Sequence, residues 1–277
     1  MGTITARYDA SAERYRAWWE PVLAASALAI LERAGPKPVD GGAGRVLDVG
    51  TGAGLLAIEA VERWPTARVV GVDASTGMLG VAASQADARL GPADRARLEL
   101  VAADAARLPF PAAAFDLVVS SFVLQLVADR GAALREIHRV LRPGGRLATV
   151  TWLLGPDEPF EPDEAFEDAL DAIGFDDDGE AEEARSGDFA SATAAAAQFR
   201  RAGFRDVRAD ARVLAHRHDR STYIDFLEQY AESELFEDLE PDVRRRLRAE
   251  TAARLDRLPE AAFEWRAPVV EVVARRP

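Results

Sequence analysis

A short apolar stretch followed by closely spaced glycines constrains this chain more than any other feature. Residues 45–54 read R-V-L-D-V-G-T-G-A-G, and a helical pattern then runs from Leu55 to Trp64. The β-branched residues predict a strand, and the glycines predict a turn before the helix. Alternate glycines let a ligand approach the main chain, and the helix offers free N–H groups at its N-terminus. The pattern therefore predicts a ligand site at the turn.

Two aspartates indicate which ligand this turn would hold. Asp48 lies near the carboxyl end of the first strand, where its charge would repel a pyrophosphate and attract an ammonium group or another cation. Asp73 ends the next strand, 19 residues beyond Gly54, where an acidic residue binds the ribose hydroxyls in this architecture. An amine, a ribose and a glycine turn together suggest S-adenosylmethionine.

Five motifs in order carry a family resemblance over residues 45–153. The chain resembles the class I S-adenosylmethionine-dependent methyltransferases, in the small-molecule subgroup of ubiquinone and menaquinone methyltransferases. The motifs similar to the family's first four are V-L-D-V-G-T-G-A-G, V-V-G-V-D-A-S-T-G-M-L, V-A-A-D-A-A-R-L-P-F and F-D-L-V-V-S-S-F. The segment L-R-E-I-H-R-V-L-R-P-G-G-R-L resembles the one that follows them in this subgroup. Outside residues 45–153 the resemblance holds only in outline.

The resemblance implies a set of residues that bind the cofactor. Asp73 would hold the ribose, Ala74 and Met78 would line the adenine, and Asp104 would accept a hydrogen bond from the adenine amino group. Met78 could equally be a core residue, and Asp104 could be a loop or helix-capping carboxylate. The remaining cofactor-binding candidates are Asp48, Gly50, Thr51, Gly52, Ala105, Ser120 and Tyr15.

Residues for a small-molecule acceptor are expected beyond the cofactor motifs. Phe122 and Gln125 leave the tip of the fourth strand, and open α/β sheets bind ligands there, where the strand order reverses. Gln125 would either orient a substrate or cap the loop. The candidates for acceptor contact are Trp19, Phe122, Gln125 and Tyr223. The sequence reveals no catalytic base.

Two aromatic segments allow a structural and a functional interpretation. Tyr8, Tyr15, Trp18 and Trp19 would either pack the N-terminal helix on the sheet or form a flap over the cofactor, with Tyr15 or Tyr8 near the methionine moiety. The helical residues 219–258 would either pack on the sheet or form a lid that selects the acceptor. Both interpretations stay open for both segments.

We expect one methyltransferase domain over residues 1–277, with an α/β, Rossmann-like fold. Its sheet would have seven mostly parallel strands in the family order 3-2-1-4-5-7-6, helices on both faces and a helical cap. The expected parts are an N-terminal helical flap (1–36), a cofactor-binding core (37–153), an acidic loop insertion (154–187) and a C-terminal part (188–277) that contains the helical insertion 219–258.

Composition excludes several other classes of function. The net charge of −13 and the lack of a basic cluster disfavour a nucleic-acid partner. The absence of cysteine excludes disulfides and cysteine-ligated zinc. His216 and His218 alone make a poor metal site, so we expect no metal, although either could transfer a proton. No signal sequence or 18-residue apolar run is evident, so we expect a soluble, cytoplasmic protein without membrane contact.

The predicted function is transfer of a methyl group from S-adenosylmethionine to a small molecule. One alternative is a nicotinamide-dependent oxidoreductase, which Asp48 and the missing third glycine of G-x-G-x-x-G disfavour. A second alternative is a non-catalytic protein that binds S-adenosylmethionine. The acceptor, the atom that is methylated and the oligomeric state stay open.

Overall fold

The computed structural model describes residues 3–35, 44–155, 159–174 and 187–277, and these contain a seven-stranded sheet. The strand order is β3-β2-β1-β4-β5-β7-β6, which confirms the predicted order. The strands are β1 Arg45–Val49, β2 Arg68–Asp73, β3 Leu98–Ala102, β4 Phe115–Ser121, β5 Leu141–Trp152, β6 Arg205–Arg217 and β7 Glu264–Arg275.

The central strands of the sheet run parallel. β1 pairs in parallel with β2 on one side and with β4 on the other, whereas β5 and β7 are antiparallel. The strand order reverses between β1 and β4, so the carboxyl ends of these strands flank the crevice where open α/β sheets bind ligands. The sequence thus places the glycine turn after β1 at this crevice.

Helices connect the strands, and side-chain caps fix where several of them begin. Ser75 accepts a hydrogen bond from the Met78 N–H at 3.0 Å, and Asp129 and Ser191 cap two later helices in the same way. The helices are α1 Thr3–Arg14, α2 Glu20–Arg33, α3 Leu55–Arg63, α4 Thr76–Arg89, α5 Pro92–Arg95, α6 Arg130–Val140, α7 Glu161–Ile173, α8 Ala192–Arg201, α9 Arg220–Phe226, α10 Ser233–Asp238 and α11 Pro241–Leu255. Tyr15–Trp19 and Leu227–Ala231 are π-helical turns, and Glu260–Phe263 is a 3₁₀ turn.

The chain divides into two compact units. The first comprises Met1–Gly155, Glu183–Arg212 and Pro268–Pro277, and its core includes Leu47, Val118 and Phe199. The second comprises Pro156–Glu182 and Val213–Ala267, where α7 packs against α11 and Phe166 stacks on Phe236. The predicted insertion 219–258 falls within the second unit.

The structure corrects the expected acidic loop 154–187 in part, because Glu161–Ile173 forms helix α7. Four apolar residues at helical spacing, Ala165, Phe166, Ala169 and Leu170, are buried on one face of this helix. The acidic residues between these four positions made the helical spacing hard to recognise in the sequence. The acidic run 176–180 lies outside the described residues.

Candidate functional site

The glycine turn after β1 depends on left-handed backbone geometry. Gly50, Gly52 and Gly54 have φ of +70°, +53° and +94°, which glycine adopts far more readily than other residues. A β-carbon on Gly50 would lie 2.1 Å from Val123 Cγ2, so packing requires glycine there. A β-carbon on Gly52 would have no heavy atom of the described chain within 4 Å. The space beside Gly52 is therefore open to a ligand.

Backbone N–H groups tie this turn to the tip of β2. Gly50 N and Thr51 N both donate to the Val72 carbonyl at 2.8 Å, and Gly52 N donates to Asp73 Oδ2 at the same distance. Asp73 Oδ1 accepts from Ser75 N at 2.9 Å. Burial raises the pKa of Asp73, and these backbone donors oppose the rise. The first two predicted motifs thus meet at a single carboxylate.

Asp48 is sealed beneath the turn. Its side chain is 1% exposed, and Oδ2 accepts a hydrogen bond from Thr51 Oγ1 at 2.7 Å. Burial raises the pKa of Asp48 to about 7, the Thr51 hydrogen bond opposes the rise, and the charge of Asp73 adds to it. The structure therefore gives Asp48 a role in shaping the turn through Thr51, and its predicted contact with a ligand stays a prediction.

The N-terminal helix α1 docks on the start of α4 through a carboxylate that the sequence analysis did not identify. Asp9 Oδ1 accepts hydrogen bonds from Ser75 Oγ at 2.6 Å and Gly77 N at 2.7 Å, and these bonds lower the pKa of Asp9. A β-carbon on Gly77 would lie 2.6 Å from the Asp9 carbonyl oxygen, so the close approach requires glycine. No local pattern marks Asp9, because its partners lie more than 60 residues away.

Met78 belongs to a small core between this helix and the glycine turn. It is 2% exposed and clusters with Ala12, Ala53 and Val81, and Tyr8 and Tyr15 pack against the cluster. The two tyrosine rings meet edge to face with centroids 5.8 Å apart. Met78 is a core residue in this arrangement, so an adenine could reach it only if the tyrosines moved.

A cavity of about 30 Å³ lies against the glycine turn. It brings together four predicted cofactor residues, Tyr15, Gly50, Thr51 and Gly52. The other residues of its wall are Glu20, Leu23, Ala27, Ala53, Leu55, Leu56 and Ser121. Pockets for drug-sized ligands have volumes of about 300 Å³ or more, so this cavity would have to enlarge to admit a nucleoside.

Three predicted cofactor residues follow the tips of β2 and β3. Asp104 is exposed, and its Oδ1 accepts from Ala106 N at 2.8 Å, so it caps its own loop. Ala74 is exposed and Ala105 is half-buried. The loop lies beside the Asp73 strand, because Ala103 N donates to the Asp73 carbonyl at 2.9 Å.

Two predicted residues at the tip of β4 are engaged in packing. Ser120 is fully buried, and its Oγ donates to the Val49 carbonyl at 2.8 Å. Gln125 is also buried, its Nε2 donates to the Phe122 carbonyl at 2.7 Å, and its Oε1 accepts from Thr151. Of the two roles considered for Gln125, the structure supports capping of the loop.

Phe122 occupies an unusual backbone position at the same tip. Its φ is +54°, a region that non-glycine residues seldom adopt, and its N–H donates to the Val150 carbonyl at 2.8 Å. The ring packs on Trp152, at the end of β5, with centroids 4.4 Å apart. Strained backbone of this kind is found most often at functional sites.

The remaining candidates, Trp19 and Tyr223, are not among the residues that line this cavity. Trp19 is half-buried on the π-helical turn and does not line the cavity. Tyr223 belongs to the second unit, where it is 1% exposed and donates its hydroxyl proton to Asp163. This burial favours a packing role for Tyr223, and its contact with an acceptor stays a prediction.

The paired histidines also belong to the second unit. His216 and His218 meet with ring centroids 4.7 Å apart, and burial together with the charge of His216 lowers the pKa of His218 to about 4. Within residues 3–35, 44–155, 159–174 and 187–277, no group of three or more His, Asp or Glu could hold a metal ion. In the same ranges, no helix combines the length and apolarity needed to cross a bilayer.

Known proteins match this chain over the glycine turn and the strands around it. Residues 47–149 match the model of a methyltransferase domain. The chain is 42% identical to a demethylmenaquinone methyltransferase of Thermus thermophilus over 116 residues, which cover 42% of this chain and 50% of that protein. It is 37% identical to a malonyl-[acyl-carrier protein] O-methyltransferase of Legionella pneumophila over 113 residues, covering 41% of this chain and 37% of that one.

Solved structures match over a larger part of the chain. A phosphoethanolamine N-methyltransferase of Haemonchus contortus, solved with S-adenosylhomocysteine, aligns with a TM-score of 0.58 and 21% identity over 97% of this chain and 57% of that one. This similarity confirms the Rossmann-like fold. The curated relatives confirm the predicted resemblance to ubiquinone and menaquinone methyltransferases, although the chain spans only about half the length of those it matches.

Proposed function

We propose that this chain transfers a methyl group from S-adenosylmethionine to a small-molecule acceptor. The observation that carries the proposal is the open, left-handed Gly52, whose N–H is bound by the carboxylate of Asp73. A main chain open to a ligand, beside an acid at the tip of the second strand, is the arrangement that binds a nucleoside in this fold. The match of residues 47–149 to a methyltransferase domain supports S-adenosylmethionine as this nucleoside.

The residues around the turn fit the parts of the cofactor. Asp73 would accept hydrogen bonds from both ribose hydroxyls, in exchange for those it now accepts from the backbone. Ala74, Met78 and Asp104 would surround the adenine, and Tyr15 would lie near the methionine part. Met78 reaches the adenine only after Tyr8 and Tyr15 withdraw, so α1 would act as the predicted flap.

When bound, S-adenosylmethionine supplies a methyl group on a sulfonium leaving group. A lone pair of the acceptor forms the new bond to the methyl carbon while the carbon–sulfur bond breaks, which leaves S-adenosylhomocysteine. The protein contributes mainly alignment, which can lower a barrier by about 7–11 kcal/mol. A base is needed only for a weakly acidic nucleophile, and we assign none.

For the acceptor we propose a small molecule that reaches the methyl group at the tips of β4 and β5. The Phe122–Trp152 ring pair gives this edge an apolar wall, which suits a flat or hydrophobic acceptor. The net charge of −13 disfavours a nucleic acid. Residues 219–258, with Tyr223, remain our candidate for the lid that selects the acceptor.

Calorimetry on the full chain tests the proposed cofactor. Titrations with S-adenosylmethionine, S-adenosylhomocysteine and NADH should give saturable binding of the first two compounds and none of NADH. Binding of NADH alone would favour the nicotinamide-dependent oxidoreductase. Binding of S-adenosylmethionine without turnover on acceptors would favour the non-catalytic protein.

A further inference from the structure

One carboxylate in the wall of the glycine-turn cavity belongs to no recognised motif. Glu20 lines this cavity together with Tyr15, Gly52 and Ser121. It is the first residue of α2 and directly follows the π-helical turn Tyr15–Trp19, where its N–H donates to the Tyr15 carbonyl. Such π-turns inside helices occur often at functional sites.

The carboxylate of Glu20 has no partner in the part of the chain that the structure describes. No hydrogen bond joins it to a side chain or backbone group there, and no cation lies within ion-pair distance. Burial raises its pKa, and the charges of Arg16 and Arg89 oppose the rise. A half-buried carboxylate has lost part of its hydration, so a ligand that supplies a cation would be stabilised here.

Asp48 is less accessible for this contact than Glu20. It is 1% exposed and hydrogen-bonded to Thr51 beneath the turn, so its charge acts on a ligand only from a distance. S-adenosylmethionine carries two positive groups, the α-ammonium and the sulfonium. Glu20 belongs to the wall of the cavity that Gly52 also lines, and it carries the negative charge that the sequence led us to expect from Asp48.

We propose that Glu20 binds the α-ammonium group of the aminoacyl part of S-adenosylmethionine. The inference rests on the proposed function, because it concerns the same cofactor. It assigns the recognition of the amine to the N-terminal helices and not to the sheet. The helices would then close on the cofactor through a charge-assisted hydrogen bond.

The test measures the binding of three ligands to Glu20→Gln. S-adenosylmethionine has the ammonium, the carboxylate and the sulfonium. S-adenosylhomocysteine lacks only the sulfonium, and 5′-methylthioadenosine lacks all three charged groups. Glu20→Gln should weaken binding of the first two by the same factor, about 10- to 100-fold, because a hydrogen bond between charged groups is lost. Binding of 5′-methylthioadenosine should stay unchanged.

Glu13→Gln is the matched control, since Glu13 lies on the preceding helix, is 76% exposed and is absent from the cavity wall. It should bind all three ligands like the wild type, and Glu20→Asp should recover part of the loss. Thermal unfolding of each variant checks that the fold is retained.

Several outcomes would overturn the inference. Unchanged affinity of Glu20→Gln for S-adenosylhomocysteine would exclude the ammonium contact, and a loss confined to S-adenosylmethionine would assign Glu20 to the sulfonium. An equal loss for 5′-methylthioadenosine would show that the substitution disturbs the whole pocket. If the wild type binds none of the three ligands, the proposed function itself fails, which is distinct from all these results.

Discussion

The carboxylate of Asp73, at the tip of β2, accepts a hydrogen bond from the backbone N–H of Gly52, in the turn after β1, at 2.8 Å. This contact joins two motifs that are 21 residues apart in sequence. A carboxylate held in this way is placed beside the open face of Gly52, where it can exchange a backbone donor for a ligand hydroxyl. We therefore propose that a ribose binds beside this contact.

The first prediction concerns Asp73. Asp73→Ala should lose about 2–4 kcal/mol of binding free energy for S-adenosylmethionine, because two charge-assisted hydrogen bonds to the ribose disappear. Calorimetry measures this loss, and circular dichroism checks that the variant is folded. Asp104→Ala removes an exposed carboxylate and should lose less. Unchanged affinity in a folded Asp73→Ala variant would contradict the ribose assignment.

The second prediction compares two neighbouring glycines. Gly52→Ala should lose S-adenosylmethionine binding with only about 1–2 kcal/mol of destabilisation, because its methyl group enters open space at a φ of +53°. Gly50→Ala should destabilise the fold more, since its β-carbon would lie 2.1 Å from Val123. Urea unfolding and calorimetry on both variants separate the two effects. Retained binding in Gly52→Ala would show that the cofactor does not approach this residue.

The third prediction concerns the docking of α1 on α4. Asp9→Ala removes the acceptor of the Ser75 hydroxyl and the Gly77 N–H, so α1 should detach more often. Limited trypsin digestion should then cut faster after Arg7 and Arg14 than in the wild type. Glu13→Ala, on the same helix, serves as the control and should digest at the wild-type rate. Equal cleavage of Asp9→Ala and the control would mean that other contacts hold the helix.

The fourth prediction is a pH dependence of stability in the second unit. Folding lowers the pKa of His218 to about 4, against about 6.5 in an unfolded chain. Between these values the unfolded chain binds the proton and the folded chain does not. The contribution of neutral His218 to the free energy of unfolding is therefore fully present above about pH 6.5, and it is lost as the pH falls towards 4.

Urea unfolding at pH 7 and pH 5 measures this effect. The wild type should lose about 2 kcal/mol more than His218→Gln over that interval, because the slope is about 1.4 kcal/mol per pH unit. Other titrating groups contribute to both proteins, so the difference isolates His218. An identical pH dependence in the two proteins would show that folding does not lower the pKa of His218.

The sequence predicted those parts of the site that depend on local patterns. The turn at Gly50 and Gly52 and the acid at Asp73 follow from alternate glycines and from the spacing of two strands, and the strand order follows from the family resemblance. Their direct roles towards a ligand stay predictions. The backbone geometry agrees with what the glycines predict, because φ at both positions is positive.

The contacts of Asp9 and Glu20 could not be predicted in the same way. Both residues lie on N-terminal helices, and part of their surroundings comes from segments 30 or more positions further along the chain. Acidic residues are common on helices, so neither carries a recognisable signal. The burial of Ser120 and Gln125 could not be predicted either, since polar residues at a strand tip occur both in packing and in ligand binding.

The central claim is that the chain transfers a methyl group, and transfer of labelled methyl tests it most directly. The full chain is incubated with methyl-labelled S-adenosylmethionine and, in turn, a demethylmenaquinol analogue, a catechol, a carboxylic acid and a primary amine. The account predicts labelled product and an equal amount of S-adenosylhomocysteine with at least one acceptor, and at least tenfold less with Asp73→Ala at subsaturating cofactor. Saturable cofactor binding without acceptor-dependent S-adenosylhomocysteine in any mixture would contradict the claim.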